Sequence, residues 1–257
     1  MGVRIVVESQ NAGDSSIGFY PPVSGGLLHW NFPGVNEKIT ARNLAPNGAT
    51  GVISGSPTYN PRSVSFPNTA GDMLNTGILE TDNMTLICIQ DVDSGAGGLL
   101  NNIGSRRASD PSKFTYGLGL SMSATSTSSH KFLNATVGHQ STDGASNSFA
   151  DIGLRVDNAE GSVFFRALTM DESTATATHY VPGGYEGTTR VFTRPAGRIR
   201  GKGSQPFIIG RVWAYLGNSP QTLYFSAIYN RVLSASEIDI IYQFTKGYFA
   251  DQGIRVR

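Results

Sequence analysis

The stretch Leu223-Tyr224-Phe225-Ser226-Ala227-Ile228-Tyr229-Asn230-Arg231-Val232-Leu233-Ser234-Ala235-Ser236-Glu237-Ile238 passes from one kind of regular structure to another with almost no linker. Its first half is rich in aromatic and β-branched residues, which suit a pleated, half-buried surface, and predicts a strand over residues 222–229. Its second half predicts a helix start. Ser234 stands at the N-cap and Glu237 three residues later, a capping box, and Leu233 and Ile238 fit the apolar staple around it. Ile238, Ile241, Tyr242 and Thr245 then recur at i, i+3, i+4 and i+7 and give one mostly apolar stripe. Asp239 near the start and Lys246 in the expected last turn both suit the helix dipole. Gly247 is the expected C′ residue.

Upstream, short β-type runs alternate with turn formers. They cover residues 28–32, 51–53, 63–66, 84–92, 114–120, 132–137, 152–156, 163–168, 189–192 and 207–209. In Ser63-Val64-Ser65-Phe66 the apolar side chains fall on one face and the serines on the other, as a half-buried strand requires. Pro46-Asn47-Gly48, Pro182-Gly183-Gly184 and Leu216-Gly217-Asn218 mark turns between runs. Many short strands at this spacing predict an all-β sandwich or barrel. Residues 121–148, rich in Ser, Thr, Asn and Ala, read as long loops around a modest strand, and residues 171–179 read similarly.

The chain has 257 residues, enough to bury a large core without metals or disulfides. Its net charge of +1 supplies no long-range attraction to nucleic acid or to an acidic membrane. No apolar run is long enough to span a bilayer. The opening Met-Gly-Val-Arg-Ile-Val-Val-Glu is too short in apolar residues for a signal peptide, and Val6 breaks the myristoylation pattern begun by Gly2. The expectation is a chain made and kept in a cytoplasm. The single cysteine, Cys88, lies in an apolar run and reads as a small buried hydrophobe. Residues 1–26 read as a separate leader: a strand at Val3–Glu8, then a Pro/Gly hinge at Pro21-Pro22-Val23-Ser24-Gly25-Gly26. Such an arm suits pairing with a neighbouring chain, or serves as an ordinary edge strand.

The string Ile-Tyr-Asn-Arg-Val-Leu-Ser-Ala-Ser-Glu-Ile, residues 228–238, closely resembles the C-terminal signature of laminin-G-like, concanavalin A-like jelly rolls. Pro206-Phe207-Ile208-Ile209-Gly210 is similar to the family's preceding strand. Leu28-His29-Trp30-Asn31-Phe32, Gly55-Ser56-Pro57-Thr58-Tyr59, Ser63-Val64-Ser65-Phe66 and Met84-Thr85-Leu86 resemble its opening strands. The resemblance covers residues 27–249 in outline and is specific at the two ends. It implies one domain over residues 27–257: two antiparallel sheets in a jelly-roll sandwich, with a capped helix packed on it. Compact members with a short N-terminal strand are similar to accessory proteins of bacteriophage particles, such as tail fibres, tail-tip adhesins and head decorations. Fold does not fix function, since the same sandwich hosts lectins, hydrolases and structural modules.

Hydrolases of that superfamily carry Glu-x-Asp-x-Glu on one strand, which sets two carboxylates on one face across the scissile bond. Glu237-Ile238-Asp239-Ile240-Ile241 lacks the last Glu and lies in the expected helix, and Glu80-Thr81-Asp82-Asn83-Met84 fails at Met84. The pattern therefore argues against an enzyme. Asp91-Val92-Asp93-Ser94-Gly95 resembles the start of a calcium loop, and many laminin-G-like domains hold calcium at a rim, so Asp91 and Asp93 are the metal candidates; a solvated turn after the strand that begins at Met84 is the simpler reading. His29, His130, His139 and His179 are scattered without metal-ligand spacing, and His29 reads as a hydrogen-bonded sheet residue. No Gly-x-Ser-x-Gly elbow occurs, and Gly197–Ser204 has the wrong spacing for a phosphate loop. Arg190, Arg194, Arg198, Arg200 and Lys202 form a basic cluster in sequence that could dock an acidic glycan, a phosphate-bearing lipid sugar or an acidic neighbouring subunit; a solvated hairpin is the alternative. Tyr180, Tyr185, Trp213 and Tyr215 are candidates for stacking on a sugar, with a core place for Trp213 as the alternative.

Together these features lead to the expectation of a non-catalytic virion accessory protein with a lectin-like, carbohydrate-binding or assembly domain. Its expected partners are other virion proteins, a host-surface glycan and further copies of itself, a trimer above all. No nucleic acid, no membrane insertion and no cofactor beyond calcium is expected. A glycoside hydrolase or a stand-alone lectin of the same superfamily is the alternative.

Overall fold

The computed structural model describes residues 20–67, 71–92, 96–122, 130–157, 162–185, 187–211 and 219–257. The strand expected at Val3–Glu8 lies outside them, as do Asp93, Trp213 and Tyr215. In chain order the first elements are β1 (Leu27–Asn31), α1 (Glu37–Ala41), β2 (Val52–Ser54), β3 (Thr58–Tyr59), β4 (Val64–Phe66), β5 (Met73–Asn75) and β6 (Met84–Asp91). Then come β7 (Gly97–Asn101), β8 (Leu118–Met122), β9 (His130–Ser141), β10 (Asn147–Asp157), β11 (Val163–Asp171) and β12 (Thr176–Tyr180). The last are β13 (Thr189–Thr193), β14 (Arg198–Arg200), β15 (Ile208–Ile209), β16 (Gln221–Tyr229) and α2 (Ala235–Ala250).

Among the described residues the strands form two eight-stranded sheets. The first runs β13-β12-β11-β6-β16-β4-β3, with β1 beside β16; the second runs β10-β9-β8-β7-β15-β5-β2, with β14 beside β9. The pairings are antiparallel. This is the expected jelly-roll sandwich.

β6 shows why its middle, Leu86 to Ile89, is apolar without alternation. Met84, Leu86 and Cys88 enter the interior between the sheets, where they meet Leu168 and Ile228 of the first sheet and Leu118, Leu120, Ala135 and Val137 of the second. Ile87 and Ile89 point the other way, with Phe165, Ala167, Phe225, Ala227 and Tyr229, and α2 covers them with Ile238, Ile241, Tyr242 and Phe249. Each such side chain is worth about 1.5–3 kcal/mol when fully buried. Burial pushes the Cys88 thiol up to about 12 and leaves it inert. His29 on β1 is hydrogen-bonded to Ser226 Oγ of β16 at 3.0 Å, and burial lowers it to about 4.

A polar layer divides the intersheet core. Val92, Met122, Leu133, Leu154, Val156, Phe164 and Val181 form a second apolar group beyond it. The layer holds Gln90, Arg166 and His179, all fully buried. Arg166 Nη1 donates to Gln90 Oε1 at 2.7 Å and to the Ser121 carbonyl at 3.0 Å, and Nη2 donates to the Asn134 carbonyl at 2.5 Å. His179 Nδ1 lies 2.7 Å from the Ile152 carbonyl of β10. One arginine from the first sheet thus grips β8 and β9 of the second by their backbones.

Three expectations need correction. Residues 121–148 are not chiefly loop: β9 and β10 form a long hairpin, paired from Asn147↔Gln140 to Asp157↔His130. Their Ser, Thr and Asn residues were misleading because Asn134, Thr136 and Gln140 alternate with core residues on the face turned away from the interior. Within 171–179, β12 likewise forms, with Ala177 and His179 buried. Gly247 does not end α2, and Lys246 is not in its last turn. The helix continues so that Phe249 reaches the core, and Gly253 (φ 76°) makes the left-handed turn while the Ile254 N–H donates to the Phe249 carbonyl.

The junction expected from sequence is present. Ser234 Oγ accepts from the Glu237 N–H and Glu237 Oε2 accepts from the Ser234 N–H. Arg231 adds two bonds, Nη2 to Oε1 at 2.6 Å and Nη1 to Oε2 at 3.0 Å. From Val23 onward the expected hinge is tied to this corner: Tyr229 OH donates to the Val23 carbonyl and Arg231 Nε to the Gly25 carbonyl. Arg231 first, then the Ser234 N–H, hold the Glu237 carboxyl down at about 2. A depressed carboxylate stabilises the fold above its unfolded value and loses that contribution as pH falls through its folded value. Glu237→Gln should therefore lower the denaturation midpoint by a constant amount above about pH 5, and the gap from the parent should close as pH falls toward about 2. Urea titrations across that range measure it; a gap that widens in acid would contradict the assignment.

Candidate functional site

β11 pairs with β12 only from Ala167 onward. Ahead of that point the C-terminal tail takes the empty edge: the Phe165 N–H donates to the Arg257 carbonyl at 2.7 Å and the Arg257 N–H to the Val163 carbonyl at 3.0 Å. Val256 is buried against the core under α2. The loop after β12 turns back over this tail. The Gly184 N–H donates to the Val181 carbonyl and the Tyr185 N–H to the Arg155 carbonyl of β10. A Cβ at Gly183 would come within 3.1 Å of Arg257 Cβ and of Phe164, so any larger residue there would push loop and tail apart by a few tenths of an ångström.

Between loop, tail, α2 and the end of β10 lies a cleft of about 460 Å³, within the range of small-ligand sites. Tyr185 stands at its edge, 61% exposed, with its ring 4.6 Å from that of His130. Lys246 and Tyr242 of α2, Asp157 of β10, and Arg255 and Arg257 of the tail complete the polar lining. Lys246 Nζ donates to Tyr242 OH at 3.1 Å.

Of the aromatic residues expected to bind sugar, Tyr185 alone is on this cleft among the described residues. Tyr180 is partly buried and packs on the core beneath α2. Asp91 ends β6 opposite Val163, and no group of three or more His, Cys, Asp or Glu suited to a metal occurs among the described residues. Sequence reading missed Asp157, Arg255 and Arg257. The cation–apolar–cation spacing of Arg255-Val256-Arg257 was the available signal, since a period of two turns both arginines away from a buried valine. Also unforeseen is an exposed aromatic pair on the outer face of the second sheet, Tyr116 with Phe149, ring centroids 4.5 Å apart.

No protein-family model and no curated protein sequence matches the chain. Solved structures do. The binding domain of botulinum neurotoxin serotype D superposes with a TM-score of 0.55 at 11% identity, covering 85% of this chain and 52% of that one. The serotype D ligand-binding domain in complex with N-acetylneuraminic acid gives 0.54 at 12%, covering 85% and 51%. A Trypanosoma rangeli sialidase in complex with a difluoro sugar acid gives 0.51 at 17%, covering 93% and 36%. The likeness is one of fold. This chain spans about half the length of the toxin domains and about a third of the sialidase.

The basic residues grouped in sequence are engaged separately in the fold. Arg194 forms a two-point pair with Glu172, at 2.9 and 2.7 Å. Arg200 reaches Glu80 at 2.6 Å, with the two side chains 3% and 0% exposed, and also donates to the Thr81 and Asp82 carbonyls. Lys202 pairs with Asp82 at 2.7 Å in solvent, and that bond holds the Asp82 carboxyl below its usual range. Arg190 donates to the Gly153 carbonyl and Arg198 to Ser146 Oγ, and neither has a carboxylate partner among the described residues. The two Asp82 and Glu80 pairs should separate sharply on mutation. Arg200→Gln strands a buried carboxylate and should cost about 3–5 kcal/mol, whereas Lys202→Gln should cost less than about 1 kcal/mol. Chemical denaturation of the two variants measures the difference.

Proposed function

We propose that this chain is a non-catalytic, lectin-like carbohydrate-binding domain of a virus particle, and that the cleft beside Tyr185 is its saccharide site. The observation that carries the reading is an exposed tyrosine at the edge of a polar cleft of about 460 Å³ on a jelly-roll sandwich. A tyrosine ring offers an apolar face to the C–H side of a sugar, and the surrounding polar groups reach its hydroxyls. The sugar-acid complexes among proteins of like fold support the same reading. The non-catalytic part of the reading rests on the sequence, where neither Glu237–Ile241 nor Glu80–Met84 completes the paired-carboxylate pattern. The likeness of compact jelly rolls with a short N-terminal strand to accessory proteins of bacteriophage particles supports the particle context, with other virion proteins and further copies of the chain as partners.

Tyr185→Ala should weaken saccharide binding at least tenfold, read by titration calorimetry against the best ligand from a glycan array, with the far-ultraviolet dichroism unchanged. Equal binding by the variant would remove the cleft as the site. Light scattering on the full chain should show an oligomer, three-fold in the simplest case; a strict monomer at high concentration would remove the particle reading and leave a stand-alone lectin.

A further inference from the structure

We infer that the cleft selects an anionic saccharide, one whose carboxylate or sulfate sits against Arg255 and Lys246 while its ring lies on Tyr185. This deepens the reading above and rests on the cleft being a saccharide site. The first ground is charge. Counting side chains, the lining brings three cations, Lys246, Arg255 and Arg257, to one carboxylate, Asp157, in a chain whose net charge is only +1. The excess is therefore local to the cleft rather than a general property of the surface. The second ground is placement. Lys246 on α2 and the arginines on the tail are brought by the fold to the loop that carries Tyr185. The third ground is pairing. Arg194, Arg200 and Lys202, elsewhere in the molecule, spend their charge on carboxylates of the fold itself. Arg255 is exposed and has no hydrogen-bond or ion-pair partner among the described residues, and Lys246 donates to the Tyr242 hydroxyl rather than to a carboxylate.

The fourth ground is preorganisation. The tail is pinned on both sides of Arg255: Val256 is buried, Arg257 is in the β11 ladder, and the Ile254 N–H is bonded to the helix end. A guanidinium on a fixed backbone offers a planar fork that matches a carboxylate or sulfate at two points, and less freedom is lost on binding. Tyr185 is held by its own backbone bond to Arg155, so the main chain that carries both side chains is fixed at the edge of one cleft.

The test is a glycan array with carboxylated, sulfated and neutral oligosaccharides, followed by calorimetry on the full chain. We expect binding confined to the acidic arms, at least a tenfold loss for Arg255→Gln and for Lys246→Gln, and weakening as salt is raised. The two acidic arms distinguish a carboxylate from a sulfate ligand. Neutral saccharides bound as well as acidic ones, with sensitivity to Tyr185→Ala but not to Arg255→Gln, would overturn this inference and leave the saccharide site standing. Acidic saccharides bound with no response to either charge variant would overturn its placement. Binding of no saccharide at all would remove the lectin reading, and this inference with it.

Discussion

The central strands of the first sheet must bury two faces at once. β6, β11 and β16 alternate between the intersheet core and the layer beneath α2, and every residue of β6 but the last is buried. A sheet with two apolar faces is stable only when both are covered. The second sheet covers one. The other depends on α2, whose position is set by the corner where Arg231, Ser234 and Glu237 lock the strand to the helix. The cleft follows from the same requirement. Its back wall is the tail that fills the vacant edge of β11, and Val256 reaches the core only because the glycine at 253 turns the chain back beneath the helix.

The polar layer at Arg166 does different work. A buried guanidinium without a carboxylate is expensive, and burial brings it down to about 10. Its hydrogen bonds go to Gln90 and to carbonyls of β8 and β9, and the adjacent His179 reaches β10, its own proton affinity driven well below the usual histidine range by burial and by Arg166. These bonds tie particular residues of one sheet to particular residues of the other. Apolar contacts alone tolerate a sliding of layers; a donor that would be left unpaired by a slip does not.

The cleft itself is built from groups that are individually ordinary. Tyr185, Lys246 and Arg255 would each pass as surface residues, and the basic stretch at 190–202 looked more purposeful in sequence. In the fold the order reverses. Arg194, Arg200 and Lys202 are used in holding loops together, Arg190 and Arg198 donate to neutral oxygens of the β9–β10 hairpin, and the cations that meet in one cleft are those at the far end of the chain. Charge clustered in sequence is not charge clustered in space when a hairpin places successive residues beside different carboxylates.

What the sequence determined by itself was local. The capped start of α2 at Ser234, its stripe, the strand before it, the strand around Cys88 and the burial of Cys88 all depend on neighbours within a few residues, so spacing and residue type sufficed. The hairpin β9–β10 escaped because its outward face is polar by design of the alternation, and a composition of Ser, Thr and Asn hides the period. The end of α2 escaped because Gly247 permits a stop, and only the need of Phe249 for a core decides that the helix goes on. Of the cleft's side chains the sequence singled out Tyr185 alone as a ligand contact, since Asp157, Tyr185, Lys246 and Arg255 come from four elements spread over about a hundred residues. Their meeting is decided by which edge of β11 stands empty, a fact of sheet pairing that exists only once the two layers have closed.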